Sequence, residues 1–155
     1  MHSQKKARFY VKGLQFECTK CGKCCTGFPG FVYLSESDIL SITKYLKENI
    51  GRFLIKYTKN VSLFHENRYS LIEKPNYDCV FWDSLCTIYP ARPYQCRTYP
   101  FWKKHVVSER EWEKAGKFCP GINRGIVHSK DLIENFVQNI PGYAIRKFSS
   151  DFKKD

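Results

Sequence analysis

The spacing of apolar positions along this chain changes every few residues, so it predicts many short elements instead of a few long ones. A basic, polar run from Met1 to Lys12 reads as a tail, and Leu14 and Phe16 are the first expected core residues. Gly27, Pro29 and Gly30 mark a loop, after which Phe31 to Leu34 has the makings of a short strand. Ser35 and Asp38 have the spacing of a helix start. Ile39, Leu40, Ile42, Tyr45 and Leu46 follow at helical intervals, with Gly51 as the expected stop and Phe53 to Tyr57 as a second helical piece. Between Val61 and Ile72 the β-branched and aromatic residues predict strands separated by Glu66, Asn67 and Arg68. Cys79 to Trp82 and Leu85 to Tyr89 predict a hairpin turning at Asp83 and Ser84. Pro90 opens a helical turn that runs to Cys96 and that Pro100 prevents from continuing. Ser108 and Glu111 open a helix ending near Gly116, Cys119 stands in a Cys-Pro-Gly turn, and Ser129 precedes a terminal helix carrying Leu132, Ile133, Phe136 and Val137.

Composition makes this a folded chain. Of its 155 residues 43% are hydrophobic, and 12 Phe, 10 Tyr and 3 Trp exclude a disordered polar segment. The length predicts one domain over residues 13–155 behind a tail of residues 1–12. No apolar run approaches the roughly 18 residues of a membrane-spanning helix, and Met1 to Lys12 lacks the apolar stretch of a secretory signal. The expectation is a cytoplasmic protein with no membrane partner.

That expectation decides how the cysteines read. Thiols in a reducing compartment rarely persist as structural disulfides, so Cys18, Cys21, Cys24, Cys25, Cys79, Cys86, Cys96 and Cys119 are candidate metal ligands. The stretch "FECTKCGKCCTG" places four of them within eight positions. Cys18 to Cys21 is a C-x2-C knuckle, and Gly22 lets the backbone turn back toward a sulfur. Cys24 repeats the three-residue step as in an iron-sulfur loop, but Cys25 follows at once where such a loop has three further residues before its fourth ligand. Adjacent side chains are expected to diverge, so that Cys24 and Cys25 face two sites or one of them bridges or supports. The remaining cysteines lie far apart in sequence, which predicts that the knuckle packs against the Cys79 to Cys96 segment and the Cys119 turn. Eight sulfurs match two four-sulfur sites, and zinc or an iron-sulfur cluster accepts four thiolates equally well. The resulting picture is α+β: a small, irregular, metal-stabilised domain with short helices and hairpins around a cysteine cluster.

Four stretches in order, "CTKCGKCC", "LSESDI", "CVFWDSLCTIYPARPYQCRTYPFW" and "CPGI", resemble the YkgJ-type cysteine-cluster family, described as zinc- or iron-chelating. The resemblance covers about residues 16–122. It implies that the eight cysteines are the family's ligands, and its R-P-x-x-C-R-x-Y-P-F signature falls on Arg92, Pro93, Cys96, Arg97, Tyr99, Pro100 and Phe101. Trp82 stands where the family has an aliphatic residue. Some proteins of the family it resembles carry the label of iron-sulfur oxidoreductase, and a flagellin lysine methylase carries a similar cluster. Nothing around Cys18 to Cys119 reads as a site for S-adenosylmethionine or a redox cofactor, and the sequence lacks the C-x3-C-x2-C spacing of radical enzymes.

Arg92 and Arg97 flank Cys96 and are expected to neutralise bound thiolates from just outside the ligand shell. His2, His65, His105 and His128 lack partners at ligand spacing and read as ordinary polar residues. The aromatic residues Phe81, Trp82, Tyr89, Tyr94, Tyr99, Phe101 and Trp102 read as one wall keeping water from the metals. A net charge of +11 invites nucleic acid, but Lys and Arg are scattered and their densest group, Lys5, Lys6, Arg8 and Lys12, lies in the tail. Weak adhesion to anionic partners is expected ahead of specific recognition. The functional expectation is a metal-binding protein whose zinc or iron sites are structural or electron-carrying. The alternatives are an iron-sulfur oxidoreductase or part of a protein-modifying system, and a zinc module on nucleic acid.

Overall fold

The computed structural model describes residues 8–143, and its elements are short and mixed, as α+β requires. The order is β1 (Leu14–Phe16), β2 (Tyr33–Leu34), α1 (Glu36–Leu46), α2 (Ile50–Tyr57), β3 (Thr58–Leu63), β4 (Glu66–Leu71), β5 (Trp82–Asp83), β6 (Leu85–Cys86), a 3-10 turn (Tyr89–Ala91), α3 (Tyr94–Arg97), α4 (Lys103–Val106), α5 (Glu109–Phe118), β7 (Ile122–His128) and α6 (Lys130–Gln138). Among the described residues these form three antiparallel sheets, β1-β7, β2-β4-β3 and β5-β6. Among the described residues no helix is long and apolar enough to cross a membrane. The described residues fall into two compact units: residues 8–21 with 98–140, and residues 22–97 with 141–143.

In the first unit β1 pairs with β7, Leu14 opposite His128 and Phe16 opposite Ile122. Their core holds Tyr10, Phe101, Val106, Trp112, Ala115, Cys119, Ile122 and Ile133. Tyr10 lies inside the stretch expected to be a tail, and it is 2% exposed, so the core begins before Leu14. The first seven residues of that stretch lie outside the described residues. Phe101 stacks on Trp112, whose indole N–H donates to Asn123, so α5 is fixed to β7 through both an apolar and a polar contact. Ser108 and Ser129 cap α5 and α6 by accepting from the backbone N–H three residues on.

In the second unit the inner face of the β2-β4-β3 sheet contributes Leu34 and Leu71 to a core with Ile39, Ile42, Phe53, Leu54, Phe81 and Ile88. Helix α1 starts on the expected capping box, with Ser35 and Asp38 each satisfying the other's backbone N–H. It stops earlier than Gly51, because Lys47 adopts the left-handed conformation at φ 53 and its N–H bonds back to Lys44. Asn49 then caps α2 through the N–H groups of Gly51 and Arg52, which places Gly51 in a first turn instead of at an end. The β3-β4 turn is Phe64 and His65, both at positive φ, so Glu66 to Arg68 belong to β4 and not to the turn. Similarly Asp83 pairs with Leu85, leaving Ser84, at φ 58, to reverse the chain.

Asp38 ties three parts of this unit together. It is 2% exposed, accepts from the Ser35 N–H and hydroxyl with one oxygen, and accepts from the Tyr94 N–H at 2.8 Å with the other. Asp38→Ala removes the carboxylate half of the capping box and leaves the Ser35 N–H, the Ser35 hydroxyl and the Tyr94 N–H without that acceptor, so it should lower stability by about 2–3 kcal/mol. Asp38→Asn should cost less. Urea unfolding of both variants checks the order.

Candidate metal centre

The second unit gathers five thiols, Cys24, Cys25, Cys79, Cys86 and Cys96, from four separate stretches, by backbone bonds that the local sequence dictates. The Gly22 carbonyl accepts from the Cys25 N–H at 2.8 Å, curling Lys23 and Cys24 into a turn. The Thr26 hydroxyl also donates to Gly22. Cys25 is joined to the distant segment by its carbonyl, which accepts from the Cys79 N–H at 2.7 Å. Cys79 begins the turn that leads into the β5-β6 hairpin, where Cys86 pairs with Trp82. Cys96 sits in α3, its N–H bonded to Pro93.

Gly22 has a second function. Its φ is +75, and a Cβ there would stand 2.3 Å from the Trp82 indole, so the turn passes directly against that ring. The wide indole of Trp82 occupies the space that Gly22 leaves.

Contrary to the expected divergence, the tight turn brings the Cys24 and Cys25 sulfurs to 3.7 Å. The edge of a sulfur tetrahedron around an ion with bonds of about 2.3 Å is about 3.8 Å, so this separation fits two ligands of one ion. A hydrogen bond from Cys25 draws the Cys24 thiol down to about 7. Cys25, which gives that bond, is pushed up by it, by burial and by the charges of Cys24, Cys96 and Cys79. Burial raises Cys79, Cys86 and Cys96 first, and neighbouring cysteine charges raise them further. Each of the five feels at least one other, so they share one neighbourhood, and a cation there would relieve both burial and repulsion. Among the described residues no three His, Cys, Asp or Glu side chains stand together as a ready-made metal site. The donor chemistry fits a thiophilic cation, with the sulfurs to be drawn closer on binding.

Among the described residues two cations act on this cluster. Arg92, whose guanidinium lies 3.6 Å from the Tyr89 ring centroid and donates to the Tyr89 carbonyl, acts on Cys24, Cys86 and Cys96. Lys74, which the sequence reading passed over, donates to the Trp82 carbonyl and acts on Cys79. Its signal was the turn "KPNYDC", in which the Lys74 N–H and carbonyl pair with Asp78 and Tyr77 and so fix the residue beside Cys79. Arg97 lies over the Tyr94 ring, 5.2 Å from its centroid.

The other three thiols belong to the first unit. The Glu17 N–H donates to Gly121 at 3.1 Å, extending the β1-β7 pairing to the residues just before Cys18 and just after Cys119. Cys119 is buried, and its thiol is raised by burial against hydrogen bonds from Gly121, Tyr99 and Ile122, with Cys21 adding a further rise. Cys18 and Cys21 are exposed. The expected aromatic wall is likewise divided, Phe81 lying in the core of the second unit and Phe101 in that of the first. None of the three described histidines joins a cysteine: His128 bonds the Phe16 carbonyl, His105 the Pro100 carbonyl, and His65 occupies the β3-β4 turn. His2 lies outside the described residues.

The sequence pattern of the CxxCxxCC family, whose description is "Putative zinc- or iron-chelating domain", matches residues 17–120, a span that holds all eight cysteines. Among curated proteins, the uncharacterized protein MJ0661 of Methanocaldococcus jannaschii is 29% identical over 102 residues, covering 63% of this chain. The chain spans about half of that relative's length, 52%. No solved structure matches the chain.

Two outcomes follow for the metal-free, reduced protein. Iodoacetamide should modify Cys24 with an inflection near pH 7, while Cys79, Cys86 and Cys96 react only in alkaline solution; peptide mass spectrometry across pH reads this directly. Gly22→Ala forces a left-handed alanine against Trp82 and should destabilise the protein by about 2 kcal/mol. Chelator competition should show weaker metal retention in the same variant.

Proposed function

The chain belongs to the CxxCxxCC family, and on that premise we propose that it is a cytoplasmic metal-binding protein whose cysteines hold zinc or iron in sites that are structural or electron-carrying. The observation that carries this reading is the convergence of five thiols from separate stretches, with the Cys24 and Cys25 sulfurs 3.7 Å apart and Arg92 and Lys74 supplying positive charge beside them. In an iron-sulfur cube each iron takes its own thiolate at a separate corner, so ligand sulfurs stand farther apart than a contact. A sulfur pair at a tetrahedral edge favours a single ion held by Cys24, Cys25 and others of the five, and zinc is the ion that four thiolates close without redox chemistry.

The chain's own contribution is to fix those donors, to exclude water by burying Cys79, Cys86 and Cys96 in part, and to offset the thiolate charge through Arg92 and Lys74. Metal bound there would supply cross-links between stretches that otherwise meet through a few backbone bonds. The partners this reading favours are proteins; anionic surfaces would be met through dispersed lysines and arginines, without base recognition.

Purification without oxygen, followed by elemental analysis and a visible spectrum, tests the reading. A colourless protein with zinc is expected, and stripping it under reducing conditions should lower the thermal midpoint by at least roughly 10 °C. A brown protein with inorganic sulfide would instead select clusters and electron transfer. Protein without metal of any kind would overturn the reading.

A further inference from the structure

Resting on that reading, we propose that Cys18, Cys21 and Cys119 form a three-thiolate metal site within the first unit, whose fourth position is open to a neutral donor from outside the chain, such as an imidazole. Three observations carry it. The β1-β7 ladder, with Phe16 opposite Ile122 and Glu17 bonded to Gly121, sets the segment entering Cys18 beside the segment leaving Cys119. Cys18 and Cys21 have the C-x2-C spacing of a metal knuckle, and Lys20 between them, at φ 54, turns the chain. These three are the cysteines of this unit, whereas the second unit has more than one tetrahedral ion takes.

Among its described residues the first unit offers no fourth ligand at ligand spacing. His128 is committed to the Phe16 carbonyl at 2.9 Å and packs against Phe101, and His105 is turned to the Pro100 carbonyl and stacked on Trp102. Cys119 is buried at the base while Cys18 and Cys21 are exposed, so the site opens on the knuckle side. Three thiolates on a dication leave one negative charge. A neutral nitrogen donor completes the shell without adding charge, where a fourth thiolate adds repulsion. Three protein ligands with an open position are also the arrangement of zinc sites that exchange their fourth ligand.

Cobalt(II) substituted into the full chain tests this, because its d–d absorption reports the ligand set. Imidazole titrated into the wild-type cobalt protein should alter the bands of about one ion and leave the rest unchanged. Cys119→Ser should bind about one ion fewer and lose the imidazole response, whereas Cys96→Ser should keep that response. The exposed Cys18→Ser repeats the test if Cys119→Ser fails to fold. The proposal is overturned if imidazole leaves the wild-type spectrum unchanged. It is equally overturned if Cys24→Ser loses the same ion as Cys119→Ser, or if His105→Ala abolishes that ion, since either residue would then close the site. No cobalt uptake at all would remove the metal-binding reading along with it, while uptake without an imidazole response removes only the open position.

Discussion

Sulfur atoms taken out of water resist ionisation, and thiolates brought together repel; the second unit is built around both penalties at once. Burial in part, and one another's charge, raise the thiols of Cys79, Cys86 and Cys96, and the two side-chain cations beside them among the described residues are fewer than five thiolates would need. The geometry nevertheless holds the sulfurs together, through the Cys79 to Cys25 backbone bond, the Trp82–Cys86 pairing and the turn at Gly22. Those features make structural sense around a dication, which removes desolvation and repulsion together. The anchoring of Arg92 on Tyr89 and of Lys74 on the Trp82 carbonyl follows the same logic, since a cation tunes a neighbouring thiolate only if its own position is fixed.

What could be read from sequence divides by range. Helix starts at Ser35, Ser108 and Ser129 were legible because a cap is a three-residue event in which one side chain meets one backbone N–H. The end of α1 was not, because Gly51 attracted the assignment while Lys47 and Asn49 settled it: a left-handed lysine stops one helix, and an asparagine side chain starts the next within two residues. The pairing of β1 with β7 was also invisible, joining residues more than a hundred positions apart, and with it went the burial of Tyr10. At the site, residue identity and spacing named the eight cysteines, which the family match encloses. Their grouping was not readable, and neither was Lys74, whose importance depends on a turn that sets it beside Cys79.

The division between the units explains why spacing could count donors without apportioning them. The chain leaves the first unit between Cys21 and Gly22 and returns to it between Arg97 and Thr98. Both passages fall inside the motifs that look most continuous in sequence: the knuckle splits into Cys18 and Cys21 on one side and Cys24 and Cys25 on the other, and the R-P-x-x-C-R-x-Y-P-F run splits between Arg97 and Tyr99. Lys20 and Gly22, both at positive φ, give the knuckle the reversals it needs to serve one unit and then the next within a few residues. In the second motif, Arg92 and Cys96 belong to the five-thiol neighbourhood, while Tyr99 bonds Cys119 and Phe101 stacks in the other core. Each motif is thus two half-motifs joined by a peptide bond. The two halves of each motif serve different cores, which is why its spacing in sequence says how many donors it carries and not which unit they serve.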